Sequence, residues 1–205
     1  KDPDKWDEIY TILKKFDSQI VQWRPDLTIG DCRGKFIIFT RDDYSNRTKA
    51  ALASPYPSGS SFTSTLTNVN GANASYYVQD YYQYNGDGGA EKIRQINALY
   101  QKTRTFSDEN SQYFKEKAWA LNHTSGYDES AALFSGTTSC YQKNASQVHK
   151  PTYDALINET VFGPTGIVFM DWVGTREASS YTVYGDLLPQ AIIEHNYKYR
   201  MLRAE

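Results

Sequence analysis

Four polar side chains stand where apolar runs stop: Arg41 after FIIFT, Asp80 after YYVQ, Asn122 after AWAL and Asp171 after GIVFM. In parallel α/β folds the C-terminal strand ends line the ligand face, while the strand bodies are packed core. A residue that merely opens a loop accounts for any one of the four. All four together, with two acids and one base among them, point to a shared polar pocket. The three histidines do not join it on this reading. Alternation from a pocket-facing Asn122 turns His123 toward the helix layer, His149 begins a helix, and His195 sits on the last one. No His/Cys/acid cluster has metal-ligand spacing, so these residues are expected to hold no metal, and no cofactor is expected for them. The glycines of NGDGG (85–89) read as a turn before a helix, not as a phosphate loop.

The elements that position these residues follow from periodicity. Trp6, Ile9, Tyr10, Leu13 and Phe16 recur at helical spacing over 4–20, after a Pro and an acidic first turn. A Gly-bounded turn feeds the short apolar strand Phe36–Phe39, and a long polar loop runs from Tyr44 to about Ala74. Strand 76–80, helix 90–103, strand 118–122, a loop over 124–146, a helix over about 152–162, strand 166–171 and a helix over about 186–203 complete the order. Strands alternating with helices predict a parallel sheet with right-handed crossovers. Four such strands make half of a (β/α)8 barrel, and a half-barrel exposes two unpaired edges. We therefore expect other strands from an N-terminal segment outside the 205 residues, with residues 1–205 forming part of one barrel domain.

Composition bounds the rest. The net charge is −2, which gives no electrostatic reason to expect nucleic acid. Seventeen Tyr against two Cys and two Met suit a secreted or extracytoplasmic protein that meets sugars or lipid headgroups. No apolar run approaches the ~18 residues of a membrane span. The opening Lys-Asp-Pro-Asp has neither initiator Met nor signal peptide, consistent with a processed or trimmed start. Cys32 and Cys140 permit one disulfide or two free thiols. Asn-x-Ser/Thr sequons occur at Asn46, Asn73, Asn122, Asn144 and Asn158.

The stretches GDCRGKFIIFTRDD, YPSGSSFTS, VQDYY, NHTS and GIVFMDW follow one another in the order and approximate spacing of bacterial phosphatidylinositol-specific phospholipases C. The chain resembles the C-terminal half of that family over nearly its whole length. The resemblance implies a distorted barrel that binds myo-inositol at its C-terminal strand ends. It also implies cleavage of phosphatidylinositol, or a related inositol phosphodiester, to diacylglycerol and a cyclic inositol phosphate by two histidines acting as general base and acid. Those histidines and a phosphate-binding Arg belong to the family's N-terminal half. Arg41 matches its inositol-binding Arg, whose planar fork spans two vicinal hydroxyls. Asp80 matches the Asp that accepts inositol hydroxyls, and Tyr82 the Tyr whose ring lies against the sugar. Asp171 matches the Asp that bonds the general-base His. Tyr56 stands where the family has a Trp and Ser58 where it has an Asp, and the loop is longer. Arg33 precedes the strand and belongs to the opposite, structural face.

The resemblance implies as partners an inositol phosphodiester, transient contact with a membrane surface, and the chain's own N-terminal half. A non-catalytic inositol- or sugar-binding module is the competing reading, and a structural extracellular domain a third. A Gly-Thr-His-Asp-like segment upstream, with a second His at a later strand end, distinguishes the enzyme from both.

Overall fold

The structure, a computed structural model, describes residues 3–28, 30–41, 49–54, 62–68, 70–106, 108–132, 136–158 and 163–199. Helix α1 (Pro3–Lys14) leads into β1 (Phe39–Thr40), β2 (Ala51–Ser54), β3 (Thr63–Thr67), β4 (Asn73–Gln79) and β5 (Gln83–Tyr84). Then come α2 (Ala90–Thr103), α3 (Gln112–Lys115), β6 (Trp119–His123), β7 (Tyr127–Asp128), α4 (Thr137–Ile157), β8 (Ile167–Phe169), β9 (Glu177–Ala178), β10 (Tyr181–Thr182) and α5 (Leu188–Asn196).

The main sheet has six strands in the order β1-β2-β3-β4-β6-β8, curled into a half-barrel. The α/β class and the partial barrel agree with the sequence, but the sheet is mixed where four parallel strands are expected. β1 with β2, β4 with β6, and β6 with β8 run parallel, whereas β2, β3 and β4 form an antiparallel meander. The meander occupies the segment that reads as a loop over 44–74. Its strand β3 is TSTLT, buried at Ser64 and Leu66 and exposed at Thr63 and Thr65. Hydroxyl side chains hid that period of two, although Thr suits a half-buried pleat.

The helix expected over 152–162 begins far earlier, at Thr137, with Pro151 in its interior. Its inward face is polar, with Cys140, Gln142, Asn144 and His149 buried, so it carries little apolar periodicity. Helix α2 matches its expected span of 90–103. The turn before it is as read, since Asp87 accepts from the backbone N–H groups of Gly89 at 2.8 Å and Glu91 at 3.1 Å. Both cysteines are free thiols, Cys140 buried. Asn122 and Asn144 are fully buried and hydrogen-bonded, so neither sequon is open to modification in the folded protein. Among the described residues no helix is long and apolar enough to cross a membrane.

Candidate functional site

Strand parity decides which side chains meet at the strand ends. Phe39, Tyr76, Val78, Trp119, Leu121 and Ile167 pack into one core cluster with Trp23. Side chains two apart share a face. Stepping onward by twos from these residues gives Arg41 after β1, Asp80 after β4, His123 at the end of β6, and Phe169 at the end of β8 with Asp171 beyond it. The other face of the sheet meets α2: Tyr77 packs on Leu99, and the Asn122 amide donates to the Ile96 carbonyl at 3.1 Å.

This corrects one site assignment. Asn122, expected in the pocket, lies on the helix side, and His123, expected toward the helices, lies with Asp80. Asn122 is completely buried, and its Oδ1 accepts from Gln79 Nε2 at 2.8 Å. Gln79 donates also to the His123 carbonyl at 2.8 Å, and its own Oε1 accepts from the Tyr81 N–H at 2.6 Å. The pair is a closed polar joint between β4, β6 and α2. Asn122 is the first polar residue after an apolar run, but its parity relative to Trp119 and Leu121 puts it on the helix side.

On the opposite face, His123 Nδ1 lies 3.9 Å from Asp80 Oδ1 and 3.3 Å from Ser125 Oγ. The imidazole meets the Phe169 ring edge-on at 5.1 Å. Burial pushes its pKa down to about 4; Asp80 pulls the other way, while Lys92 and Arg41 add to the depression. The ring is therefore neutral at physiological pH. The influence of both Arg41 and Asp80 on one imidazole places the guanidinium and the carboxylate in one neighbourhood.

The loop after β6 ties the remaining groups together. The Gly126 N–H donates to Asp171 Oδ2 at 3.4 Å, and the Tyr127 N–H to the Tyr82 carbonyl at 2.8 Å. A Cβ on Gly126 would stand 2.7 Å from Asn144 Oδ1 and 3.0 Å from the Tyr82 carbonyl, so this close approach admits only glycine. Lys92 is wholly buried beneath the loop, its Nζ donating to the carbonyls of Tyr81 at 2.7 Å and Ser125 at 2.8 Å. Burial brings it down to about 7, against the pull of Asp80 and Asp171. Asp171 is shifted upward, chiefly by burial, with the Gly126 bond and Lys92 opposing.

Tyr82 is 40% exposed, and its hydroxyl donates to the Tyr141 hydroxyl of α4 at 2.9 Å. Burial, Tyr141, Asp171 and Asp80 all hold the phenol protonated. Its ring is thus oriented by its tip and open on its body. The structure brings Arg41, Asp80, Tyr82 and Asp171 to the same end of the sheet. Tyr56 and Ser58 lie outside the described residues. Neither other histidine belongs to the site. His149 is buried in α4 with Nδ1 2.7 Å from the Val183 carbonyl, and His195 Nε2 is 2.9 Å from the Gly163 carbonyl. Among the described residues no group of His, Cys, Asp and Glu could hold a metal.

A guanidinium, an accepting carboxylate, an oriented aromatic ring and a second, half-buried carboxylate suit a ligand with several hydroxyls on a compact ring. No protein-family model matches this chain, and neither a curated protein nor a solved structure matches it.

Proposed function

We propose that this chain supplies the inositol-binding rim and the base-supporting carboxylate of a phosphodiesterase resembling phosphatidylinositol-specific phospholipase C. Arg41 and Asp80 bind ring hydroxyls, and the Tyr82 ring lies against the sugar. The 2-hydroxyl of the substrate attacks phosphorus as a general-base histidine takes its proton. A second histidine protonates the departing diacylglycerol oxygen, leaving the cyclic phosphate. Both histidines, on this reading, belong to sequence outside the 205 residues. Asp171 orients the base and stabilises its protonated form.

The observation that carries the reading is the convergence of Arg41, Asp80, Tyr82 and Asp171 at one end of the curled sheet. The state of Asp171 supports its role. A carboxylate strained by burial and held by one long N–H bond gains much from a second donor such as an imidazole. Exposed apolar side chains at Phe36 and at Phe169 and Val173 are consistent with further strands closing the sheet. Phe169 and Val173, beside the rim, also suit transient contact with a lipid surface in an extracytoplasmic setting.

The test is turnover of a water-soluble inositol phosphodiester and affinity for myo-inositol, measured on the protein that contains this chain. Asp80→Ala and Arg41→Ala should each weaken inositol binding by about 1–3 kcal/mol. Unchanged affinity in both would place the pocket elsewhere. The 205-residue chain alone should be inactive, and cleavage of phosphatidylinositol by it at an ordinary rate would refute the assignment of the histidines. Binding without turnover in the longer protein would favour the non-catalytic binding module.

A further inference from the structure

His123 is absorbed by none of the roles above, yet it occupies the position between the groups assigned to the ligand. It is the one described histidine on the Asp80 face of the sheet. Its ring is fixed on one side by Phe169, and its carbonyl is held by Gln79. Of its two ring nitrogens, Nδ1 faces two oxygens: Asp80 Oδ1 at 3.9 Å and Ser125 Oγ at 3.3 Å. Both side chains of the His123–Asp80 pair are largely buried, at 13% and 18% exposed, so a bond between them would form away from bulk water.

We propose that His123 is a positioning residue for Asp80: neutral, with its proton on Nδ1, it donates to one carboxylate oxygen and leaves the other aimed at a ring hydroxyl. The proposal rests on the reading of Asp80 as a hydroxyl acceptor. It adds to that reading a reason why the carboxylate holds one orientation. A free carboxylate rotates about its χ2 bond, and a fixed one meets the ligand without losing that freedom on binding. The 3.9 Å separation is longer than a hydrogen bond, and contacts of this kind commonly tighten when the ligand arrives. Ser125 Oγ offers Nδ1 an alternative partner in the unliganded protein. Exchange of that partner for Asp80 is the motion the ligand would drive.

The experiment is calorimetric titration of myo-inositol into the protein containing this chain, with the parent, His123→Phe, His123→Asn and Asp80→Ala. Phe keeps an aromatic ring against Phe169 and removes both ring nitrogens, whereas Asn places an amide N–H close to where Nδ1 stood. We expect His123→Phe to weaken binding about 10–100-fold, the range for one lost hydrogen bond to a charged group, and His123→Asn to recover most of it. Parent-like affinity in His123→Phe, with binding lost in Asp80→Ala, overturns this inference and leaves the pocket standing. Parent-like affinity in Asp80→Ala overturns the pocket and the inference together. Should His123→Phe fail to fold, the imidazole ¹⁵N resonances of the parent decide: Nδ1 must carry the proton, and its signal must move on adding inositol and in Asp80→Asn. An unprotonated or unresponsive Nδ1 refutes the proposal.

Discussion

Asn122 and His123 are neighbours at the end of β6, yet they belong to regions built on different principles. Asn122 faces α2 and is bonded at both ends of its amide, Oδ1 accepting from Gln79 and Nδ2 donating to the Ile96 carbonyl, at ordinary hydrogen-bond lengths and without exposure. His123 faces the rim, where separations are longer, 3.9 Å to Asp80, and 3.4 Å for the Gly126 bond to Asp171. Completed polar groups inside a protein specify how elements dock. Groups that are buried but loosely engaged have capacity left for a ligand. Exposure alone does not separate the two regions, because Asp80 and His123 are also mostly buried. The quality of the bonds does.

The largest effect expected on this contrast is at Asp171. Asp171→Asn should lower kcat on a soluble inositol phosphodiester by on the order of 10³-fold. That is somewhat less than the ~10⁴ of the comparable change in a serine-protease triad, because on the proposed reading a phosphate-binding Arg outside these residues would share the load. KM should hardly change. Burial holds the Asp171 pKa above its ordinary value. The folded state therefore binds more protons than the unfolded one over that interval, and stability falls as pH rises through it. At pH 7 the Asn variant should melt no lower than the parent. An unchanged kcat would remove Asp171 from the mechanism, and a collapsed melting temperature would move it to the structural side of the comparison.

Asn122→Leu probes the completed side. It removes the acceptor of one Gln79 Nε2 N–H and the side-chain donor to the Ile96 carbonyl, at a cost of about 2–4 kcal/mol in urea unfolding. A loss under 0.5 kcal/mol would mean the joint is not specific.

Lys92 sits beneath both regions and should show itself through pH. Its pKa is about 7 folded against 10.5 for the ordinary side chain, so between those values the unfolded chain binds the extra proton. Stability should then rise with pH from about 7 to 9, by at most ~1.4 kcal/mol per unit. Lys92→Met should lack that rise, and an identical profile in the variant would contradict the shift.

A further effect belongs to the acid limb. His123 and His149 both fall to about 4 from 6.5, so the parent should lose stability as pH drops from 6.5 toward 4. His123→Phe should flatten that limb by its own share, leaving the contribution of His149. A variant profile as steep as the parent's would show that His123 is not neutral in the fold.

The sequence alone determined α2, the approximate positions of β4, β6 and β8, the turn at Asp87, and the candidate residues Arg41, Asp80 and Asp171. Each follows from local signals, an apolar run, a helical period or a cap, that neighbouring residues carry by themselves. It also carries a parity signal: counting by twos from Trp119 and Leu121 gives His123, not Asn122, as the rim residue. The tertiary structure decided what no local signal holds. The meander β2–β3–β4 is paired by register between segments whose Ser and Thr content hides their alternation. The early start of α4 depends on a polar face satisfied by distant partners: Thr124 for Asn144 and Val183 for His149. The junction of Lys92, Gly126, Tyr82 and Asp171 joins residues up to 89 positions apart through backbone groups. Backbone donors and acceptors are the same in every residue, so their pairing cannot be read from side-chain types and exists only once the chain has folded.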